Sequence, residues 1–428
     1  YLLDYRGMEY FTYRESAGGQ ELFAEDIAVD QLAERFGTPL YVYSSAALIA
    51  RYRAFAQAVG DALVCYSLKA NDNLAVVRCL SGEGAGADIV SGGELRRALA
   101  AGIAPNKIVF AGVGKTAEEL ADGLNAGIGQ FNVESEAELS LIAELARSRG
   151  MRAPVALRVN PDVDAKTHDK ISTGRAQDKF GIAFDQADAL YARAADMDGI
   201  DMTGLAIHIG SQLTSLAPFE AAFARLGELC RRLRAGGVSV SRLDLGGGLG
   251  ISYDGGTGID LADYGALVQR TGRELKAHIT LEPGRWMAGP AGLLLSRVVR
   301  VKQIGNKQFA IVDMAMNDLL RPALYGAWHK VDAVVPRSGA EAPVDIVGPI
   351  CESGDVIAPD RIMPELRAGD LIAVRDAGAY GAVMASNYNS RLTAAEVMVR
   401  GGDAALIRAR LDYDTLIARD TMPDWFGG

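Results

Sequence analysis

A lysine stands where an apolar stretch of the chain gives way to a helix-start signal. Residues 64–71 read Val-Cys-Tyr-Ser-Leu-Lys-Ala-Asn, so Lys69 directly follows a strand-like run. A partly desolvated amine at such a strand end can condense with an aldehyde to form an imine, which makes Lys69 a candidate covalent catalyst. A lone lysine at a strand end is more often simply solvated. The assignment therefore depends on the other polar residues of the chain.

The elements that would position Lys69 form a repeated alternation of apolar runs and helical patterns between about residue 40 and residue 290. The eight predicted strands cover residues 63–68, 87–90, 108–111, 130–133, 155–159, 204–209, 242–245 and 278–281. Eight parallel strands with intervening helices in about 250 residues predict a (β/α)8 barrel. The alternative is an open doubly wound sheet, which usually carries a Gly-x-Gly-x-x-Gly turn after its first strand. No such turn follows Leu68.

The pattern changes after Pro290, where β-rich runs replace the alternation. Residues 293–304 and 308–312 flank Gly305-Asn306, which predicts a β-hairpin. Further strands are predicted at 344–347, 370–374 and 396–399, and residues 10–14 and 22–23 have the same character. We therefore expect an all-β domain, a β-sandwich or Greek-key barrel, formed by residues 1–37 and 289–428. The (β/α)8 barrel would span residues 38–288.

Polar residues cluster at the carboxyl ends of the predicted barrel strands, where barrels of this type carry their active sites. Besides Lys69, these residues are Asp88, His208, Ser211, Gly246, Gly247, Gly248, Glu282, Gly284 and Arg285. Each has a structural explanation when taken singly, such as a helix cap for Asp88 or a local ion pair for Glu282 with Arg285. Together, at the strand ends of one barrel, they favour a binding site.

Pyridoxal phosphate binding is the chemistry that these residues favour. Glycines after the seventh strand would let backbone N–H groups approach a phosphate, and Ser211 would add a hydroxyl. Glu282 would lie against the pyridine nitrogen and keep it protonated, so that the ring becomes an electron sink. His208 would lie against the ring face, and Asp88 would orient neighbouring donors.

Two further polar clusters follow the barrel sequence. Cys351 and Glu352 stand in a polar loop bounded by glycines, and Tyr380 stands in a glycine-rich turn. A thiol in such a loop is a better candidate for reactivity than the other three cysteines, which lie in strand or helix patterns. Those three are Cys65, Cys79 and Cys230.

Arg321 and Tyr325 lie four residues apart in a third cluster. Arg321 alone is as readily a surface cation, but together with Arg285 it would suit a substrate with an extra carboxylate, because a guanidinium binds carboxylate bidentately. The remaining histidines, His168, His278 and His329, lack ligand spacing. We interpret them as structural and predict no metal site.

Composition and charge argue against several classes of function. A net charge of −10 over 428 residues, without a basic run that contains aromatics, argues against a nucleic-acid partner. No apolar run reaches the roughly 18 residues of a membrane span, and no export signal is visible. Four cysteines without a Cys-x-x-Cys pair indicate reduced thiols. We expect a cytoplasmic protein that binds a small molecule.

Six short motifs, in order along nearly the whole chain, closely resemble the alanine-racemase-like, barrel-type pyridoxal-phosphate decarboxylases of fold type III. They are Tyr-Ser-Leu-Lys-Ala-Asn at 66–71, His-Ile-Gly-Ser-Gln at 208–212, Gly-Gly-Gly at 246–248, Glu-Pro-Gly-Arg at 282–285, Cys-Glu-Ser-Gly-Asp at 351–355 and Ala-Tyr-Gly at 379–381. The resemblance implies that Lys69 anchors the cofactor and that Cys351 is a proton donor. It also implies a homodimer, in which Cys351, Glu352 and Tyr380 reach the cofactor and the cysteine loop comes from the neighbouring subunit.

Three features resemble those family members that convert meso-2,6-diaminopimelate to L-lysine and carbon dioxide, the last step of bacterial lysine synthesis. They are Ile-Ser-Thr-Gly at 171–174 before Lys-Phe-Gly at 179–181, Arg-Pro-Ala-Leu-Tyr at 321–325, and glutamate rather than aspartate after Cys351. The implied substrate contacts are Arg285, Arg321, Tyr325, Glu352 and Tyr380, with Glu352 receiving the distal ammonium.

Two alternatives to this substrate stay open. One is a decarboxylase of the same fold that acts on ornithine, arginine or carboxynorspermidine, and the other is a non-catalytic pyridoxal-phosphate-binding regulator. The regulator is disfavoured because the chain keeps the lysine, the cysteine and the β domain together. Residues 171–174 lie in a long gap between the fifth and sixth strands, which is expected to form a mobile lid.

Overall fold

The structure is a computed structural model that describes residues 10–16, 19–163, 179–256 and 258–426. The described residues divide into two compact units. The barrel unit comprises residues 48–289, and the β unit comprises residues 10–47 and 290–426. The predicted lid residues 171–174 lie outside the described residues.

The first elements along the chain are three short strands, a helix and a fourth strand. They are β1 (Phe11–Ser16), β2 (Gly19–Ala24), β3 (Ile27–Ala28), α1 (Val29–Phe36) and β4 (Leu40–Ser44). β1, β2 and β3 form a three-stranded antiparallel sheet. The strands predicted at residues 10–14 and 22–23 are thereby confirmed.

The barrel unit alternates strands and helices after α2 (Ser45–Val59). Its strands are β5 (Leu63–Ser67), β6 (Gly86–Ile89), β7 (Ile108–Phe110), β8 (Gln130–Val133), β9 (Ala153–Asn160), β10 (Ile182–Ala183), β11 (Ile200–Ala206), β12 (Arg242–Asp244) and β13 (His278–Leu281). Its helices are α3 (Leu74–Gly82), α4 (Gly92–Ala100), α5 (Ala117–Ala126), α6 (Glu136–Ser148), α7 (Ala187–Ala195), α8 (Ala217–Ala235), α9 (Leu261–Leu275) and α10 (Arg285–Ala288).

Eight of these strands close into a parallel barrel, as predicted. The order β9-β11-β12-β13-β5-β6-β7-β8 returns to its start because β8 also pairs with β9, while β10 lies outside on β9. Between the last and first barrel strands, Thr280 pairs with Leu63 and Leu281 with Val64. Most residues of these strands are buried on both faces, as all four residues of β8 are.

Polar caps start the helices that follow the strands. Ser91 accepts a hydrogen bond from the N–H of Glu94 at the start of α4. Thr116 and Glu119 form a capping box at the start of α5. These caps satisfy the first N–H groups of each helix and fix where each connecting loop ends. The side chains at the carboxyl ends of the strands are therefore held on short, defined loops.

The β unit is built around a mixed sheet. Its carboxyl-terminal elements are β14 (Gly292–Ile304), β15 (Lys307–Val312), α11 (Arg321–Tyr325), β16 (Val331–Ala333), β17 (Ala342–Val347), β18 (Val356–Met363), β19 (Leu371–Val374), β20 (Ala395–Arg400), β21 (Asp403–Arg408) and α12 (Tyr413–Ile417). With β4 these strands form a nine-stranded sheet. The hairpin of β14 and β15 and the strands predicted at 344–347, 370–374 and 396–399 are confirmed.

Residues 38–47 lie in the β unit, whereas the sequence boundary placed them in the barrel. The reason is β4, which pairs antiparallel with β14 on one side and parallel with β20 on the other. All five residues of β4 are buried. A fully buried run before a helix has the same local pattern as a barrel strand, so its sequence alone does not reveal which sheet it joins.

No helix in the described part of the chain is long and apolar enough to cross a membrane.

Candidate active site

Lys69 lies in a single 3-10 turn, Leu68–Ala70, that follows β5. Its Nζ atom is 2.9 Å from Oδ2 of Asp88, and its side chain is 37% exposed. The same Asp88 oxygen accepts a hydrogen bond of 2.6 Å from the hydroxyl of Ser67. The other oxygen of Asp88 is buried and accepts no hydrogen bond from the described residues. An accessible amine and a buried carboxylate thus meet at the ends of two neighbouring strands.

A pair of buried carboxyl groups lies at the ends of β12 and β13. Asp244 closes β12 and Glu282 follows β13. The amide nitrogen of Asn132 is 2.9 Å from Asp244 Oδ2 and 3.3 Å from Glu282 Oε1, so it bridges the two. Burial raises the pKa of Asp244 to about 6. Burial, followed by repulsion from Asp244, raises the pKa of Glu282 well above its ordinary value.

The Asp244–Glu282 pair therefore retains a proton at neutral pH, because two adjacent buried carboxylates ionise together only at high cost. Both groups have folded pKa values above the unfolded ones. The stability that the two protonated carboxyl groups contribute is fully present below about pH 4. It is lost as the pH rises through their pKa values in the folded protein. The first of these values is that of Asp244, about 6.

We expect Glu282→Gln to stabilise the protein without any bound ligand at pH 8. A glutamine amide donates to Asp244 and accepts from Asn132, as a protonated glutamate would, without a second charge. We expect about 1–3 kcal/mol of extra unfolding free energy at pH 8, shrinking towards pH 4. Urea unfolding at both pH values measures this. An equal gain in unfolding free energy at pH 4 and pH 8 would contradict the shared proton. The control is Glu274→Gln, at an exposed glutamate.

Three consecutive glycines follow β12 and leave no room for side chains. Gly246 has φ +71° and a Cβ there would lie 2.3 Å from the carbonyl oxygen of Ile207. Gly248 has φ +100° and a Cβ there would lie 2.4 Å from the carbonyl oxygen of Gly210. Both positions require glycine, because other residues rarely adopt this backbone conformation.

The N–H groups of these glycines differ in what they contact. The N–H of Gly246 donates to Oδ1 of Asp244 at 3.0 Å, and that of Gly247 donates to Nδ1 of His208 at 3.2 Å. No hydrogen bond joins the N–H of Gly248 to a described residue. Of the three, Gly248 is thus best suited to bind an added anion.

His208 is a neutral imidazole, because its Nδ1 accepts the N–H of Gly247. Burial lowers its pKa well below the ordinary value, and the positive charges of Lys69 and Arg158 lower it further. A neutral ring at this position can stack on a flat ligand without adding positive charge. Lys69 is therefore close enough to His208 for its positive charge to act on the imidazole.

Arg285 is buried at the start of α10 and organises the neighbouring loops. Its Nη2 donates to the hydroxyl of Ser211 at 3.1 Å, and its Nη1 donates to the hydroxyl of Tyr253 at 2.7 Å. A Cβ on the preceding Gly284 would lie 3.0 Å from the Cβ of Ala70. The absence of a side chain at Gly284 therefore lets Arg285 lie close to the turn that carries Lys69.

The other predicted site residues belong to the β unit. Cys351 and Glu352 lie in an exposed loop, and the backbone N–H of Cys351 donates to Oδ1 of Asn389 at 3.2 Å. The buried Asp355 shapes this loop by accepting the N–H groups of Ile350 at 2.8 Å and of Met316 at 2.7 Å. Cys351 is the only exposed thiol among the four free cysteines, so the predicted cysteine is also the accessible one.

Arg321 is buried at the start of α11, and the half-buried Tyr325 lies one turn later on the same helix face. The Nη1 atom of Arg321 is 2.7 Å from Nε2 of His329. Tyr380 is half-buried and has φ +55°, a left-handed conformation that is rare for a tyrosine and typical of constrained functional turns.

Sequence reasoning missed several polar residues that the fold brings into these networks. Arg158, on β9, donates to Glu134 at 2.8 Å, and its guanidinium lies 5.0 Å from the ring centre of Phe180. A charged residue inside the apolar run Ala-Leu-Arg-Val was the available signal for Arg158, as was the acid two residues before the first glycine for Asp244. Asn132 and Tyr253 had no such local signal.

Comparison with known proteins identifies the family. Residues 45–289 match the pyridoxal binding domain of the pyridoxal-dependent decarboxylases. The chain is 51% identical over 419 residues to diaminopimelate decarboxylase from Pseudomonas aeruginosa, which covers 97% of this chain and 99% of that protein. The chain belongs to the diaminopimelate decarboxylase family. It is therefore a pyridoxal-dependent decarboxylase, as its six motifs predicted.

Two solved structures of the family are similar over nearly their whole length. Diaminopimelate decarboxylase from Helicobacter pylori, complexed with L-lysine, is 39% identical with a TM-score of 0.88, covering 91% of this chain and 98% of that one. The enzyme from M. jannaschii, in co-complex with L-lysine, is 37% identical with a TM-score of 0.92, covering 97% and 98%. The predicted fold, a barrel with a separate β domain, is that of this family.

Proposed function

We propose that this family member decarboxylates meso-2,6-diaminopimelate to L-lysine and carbon dioxide with pyridoxal 5'-phosphate as its cofactor. The observation that carries the proposal is the amine of Lys69, 2.9 Å from Asp88, in a barrel that also holds the buried Asp244–Glu282 pair. The relatives named above support the substrate, because they are diaminopimelate decarboxylases and two of them bind L-lysine. Lysine biosynthesis is then its role, and we infer a cytoplasmic location.

The described residues of the barrel unit fit this cofactor. Pyridoxal phosphate supplies an aldehyde that bonds to an amine and a protonated ring that accepts the electron pair left by carbon dioxide. Lys69 would be the covalent attachment point, and the proton held by Glu282 and Asp244 would lie at the ring nitrogen. His208 would lie against the ring, and Asp88, with a buried oxygen that accepts nothing from the described residues, would orient a donor.

The phosphate group would be bound at the other end of the site. Gly246, Gly247 and Gly248 form the tight turn, and the N–H of Gly248 is the donor suited to the phosphate. Ser211, Gly284 and Arg285 would complete this anion site, because a hydroxyl and a guanidinium are both strong donors to phosphate. Tyr380 would add a hydroxyl at the same end.

The family resemblance implies which residues would hold the substrate. Arg321 and Tyr325 would bind the distal carboxylate, Arg285 would contribute a further cation, and Glu352 would receive the distal ammonium. Cys351 would donate the proton that replaces the departed carboxylate. Following the family resemblance, the proposal includes a homodimer in which Cys351, Glu352 and Tyr380 reach the cofactor and the cysteine loop comes from the neighbouring subunit.

A substrate panel tests the proposal. We expect carbon dioxide release from meso-diaminopimelate with a kcat/KM at least about 100-fold above that for ornithine, arginine, L-lysine or carboxynorspermidine, since a buried guanidinium without its carboxylate partner is costly. Purified holoenzyme and trapped ¹⁴C- or ¹³C-labelled carbon dioxide provide the measurement. Carbon dioxide release from ornithine but not from diaminopimelate would overturn the substrate assignment. No carbon dioxide release from any of these amino acids would favour the non-catalytic regulator.

A further inference from the structure

The histidine interpreted above as merely structural makes a specific contact with Arg321. His329 is fully buried, with 0% of its surface exposed. Its Nε2 atom lies 2.7 Å from Nη1 of Arg321, and its Nδ1 atom lies 2.8 Å from the carbonyl oxygen of Arg375. A guanidinium can only donate and a carbonyl can only accept. The imidazole therefore carries its proton on Nδ1 and accepts from Arg321 at Nε2.

Strand pairing holds the far side of this bridge in place. Val331 and Val374 pair in the ladder between β16 and β19, and the N–H of Arg375 donates to the carbonyl of Lys330 at 2.8 Å. Lys330 directly follows His329. The sheet thus fixes the carbonyl oxygen of Arg375, which orients the imidazole of His329. The imidazole in turn holds the guanidinium of Arg321 in place.

A neutral partner affects Arg321 differently from an acidic one. The buried Arg158 donates to Glu134, and Arg375 donates to Asp332, so each of those charges is cancelled by a carboxylate. The imidazole of His329 is a neutral partner, so it orients the Arg321 guanidinium without itself adding a negative charge. An oriented guanidinium is what recognition of a carboxylate requires.

We propose that His329 is the positioning residue for Arg321 and thereby determines specificity for amino acids that carry a second, distal carboxylate. This inference rests on the proposed function, in which Arg321 binds that carboxylate. His329 touches neither substrate nor cofactor in this account. It acts by holding the guanidinium in one orientation, which spares the substrate the entropy of ordering a long side chain.

Two substitutions separate the two hydrogen bonds of His329. Glutamine places its carbonyl oxygen near the position of Nε2 and keeps the acceptor for Arg321. Asparagine places its amide near Nδ1, so it keeps the donor to Arg375 and loses the acceptor for Arg321. His278→Asn, at an exposed histidine, is the matched control. Thermal unfolding of each holoenzyme shows whether the fold is retained.

We expect His329→Asn to raise KM for meso-diaminopimelate roughly 10- to 100-fold with kcat changed less than about 3-fold, the range for a lost hydrogen bond to a buried charge. L-lysine, which keeps the distal carboxylate, should bind more weakly by a similar factor in calorimetric titration. Cadaverine, which lacks it, should bind equally to variant and wild type. His329→Gln should behave as wild type within about 3-fold.

Several outcomes would overturn the role of His329. They are an unchanged KM in His329→Asn, equal weakening of L-lysine and cadaverine, or a His329→Gln enzyme as impaired as His329→Asn. A different result bears on the proposed function alone, namely a wild-type enzyme that releases no carbon dioxide from diaminopimelate. The L-lysine titration needs no turnover, so it still decides the role of His329 in that case.

Discussion

Replacing Lys69 by alanine is expected to lower kcat/KM for meso-diaminopimelate by at least about 1,000-fold, because the proposed covalent attachment point of the cofactor is lost. The visible absorbance of the lysine-bound cofactor should disappear at the same time. The amine lies at the end of β5 with its side chain 37% exposed, so it is accessible to an aldehyde. Steady-state kinetics and an absorbance spectrum of the purified variant provide the measurement.

Lys69→Arg tests whether charge alone explains this loss. Arginine can keep an ion pair with Asp88, whose buried carboxylate would otherwise lose its cation, but a guanidinium does not replace the amine as a covalent anchor. We expect Lys69→Arg to be as inactive as Lys69→Ala and equally devoid of the absorbance. Lys302→Ala, on an exposed edge of β14, is the control. A variant that kept the absorbance would remove Lys69 from its proposed role.

Cys351→Ala should lower kcat by roughly 100- to 10,000-fold while cofactor absorbance persists, because loss of the proposed general acid slows proton transfer and leaves the proposed anchor, Lys69, intact. The exposed thiol lies in a loop held by Asp355 and Asn389, so its truncation removes little packing. Single-turnover kinetics would show carbon dioxide release without a matching yield of L-lysine. The half-buried Cys79→Ala is the control.

Full activity of Cys351→Ala would remove the thiol from the mechanism. Mixing this variant with Lys69→Ala tests the proposed homodimer at the same time. If each site takes Lys69 from one subunit and Cys351 from the other, random exchange produces mixed dimers in which one site of two is intact. We then expect recovery of about a quarter of wild-type activity after subunit exchange. No recovery, with exchange verified by mass spectrometry, would contradict a shared site.

The Glu282→Gln and His329→Asn predictions share a physical basis. In both places the fold buries polar groups whose arrangement favours ligand binding over stability. The Asp244–Glu282 pair places two carboxyls around one bridging amide, and the neutral imidazole of His329 lies against the buried guanidinium of Arg321. Such arrangements persist at functional sites because binding or catalysis benefits from them.

Much of the fold was predictable because its elements have local causes. Most barrel strands are short buried runs, and helices α3, α4, α5, α6 and α9 start at a polar cap, so the alternation is visible along the chain. The β14–β15 hairpin was predictable for the same reason, since Gly305 takes φ +57° at its turn. The position of β4 was not, because its pairing partners β14 and β20 lie hundreds of residues away.

The candidate site divides in the same way. Lys69, the three glycines and Cys351 were recognisable because each has a distinctive sequence neighbourhood, and the family motifs around them cover nearly the whole chain. The partners of these residues were not recognisable from their neighbourhoods. Asn132 meets Asp244 across 112 positions and Glu282 across 150, and no local pattern encodes such contacts.

The sequence by itself predicted the barrel, through short-range periodicity, and a cofactor chemistry, through the residue types at the strand ends. Its motifs also carried the resemblance to the family. Only the tertiary structure decided which groups share protons and which tautomers the histidines adopt. Burial and distance set the shared proton of Asp244 and Glu282, the neutral state of His208 and the tautomer of His329. These properties come from the three-dimensional surroundings of a group, which a residue's position along the chain does not specify.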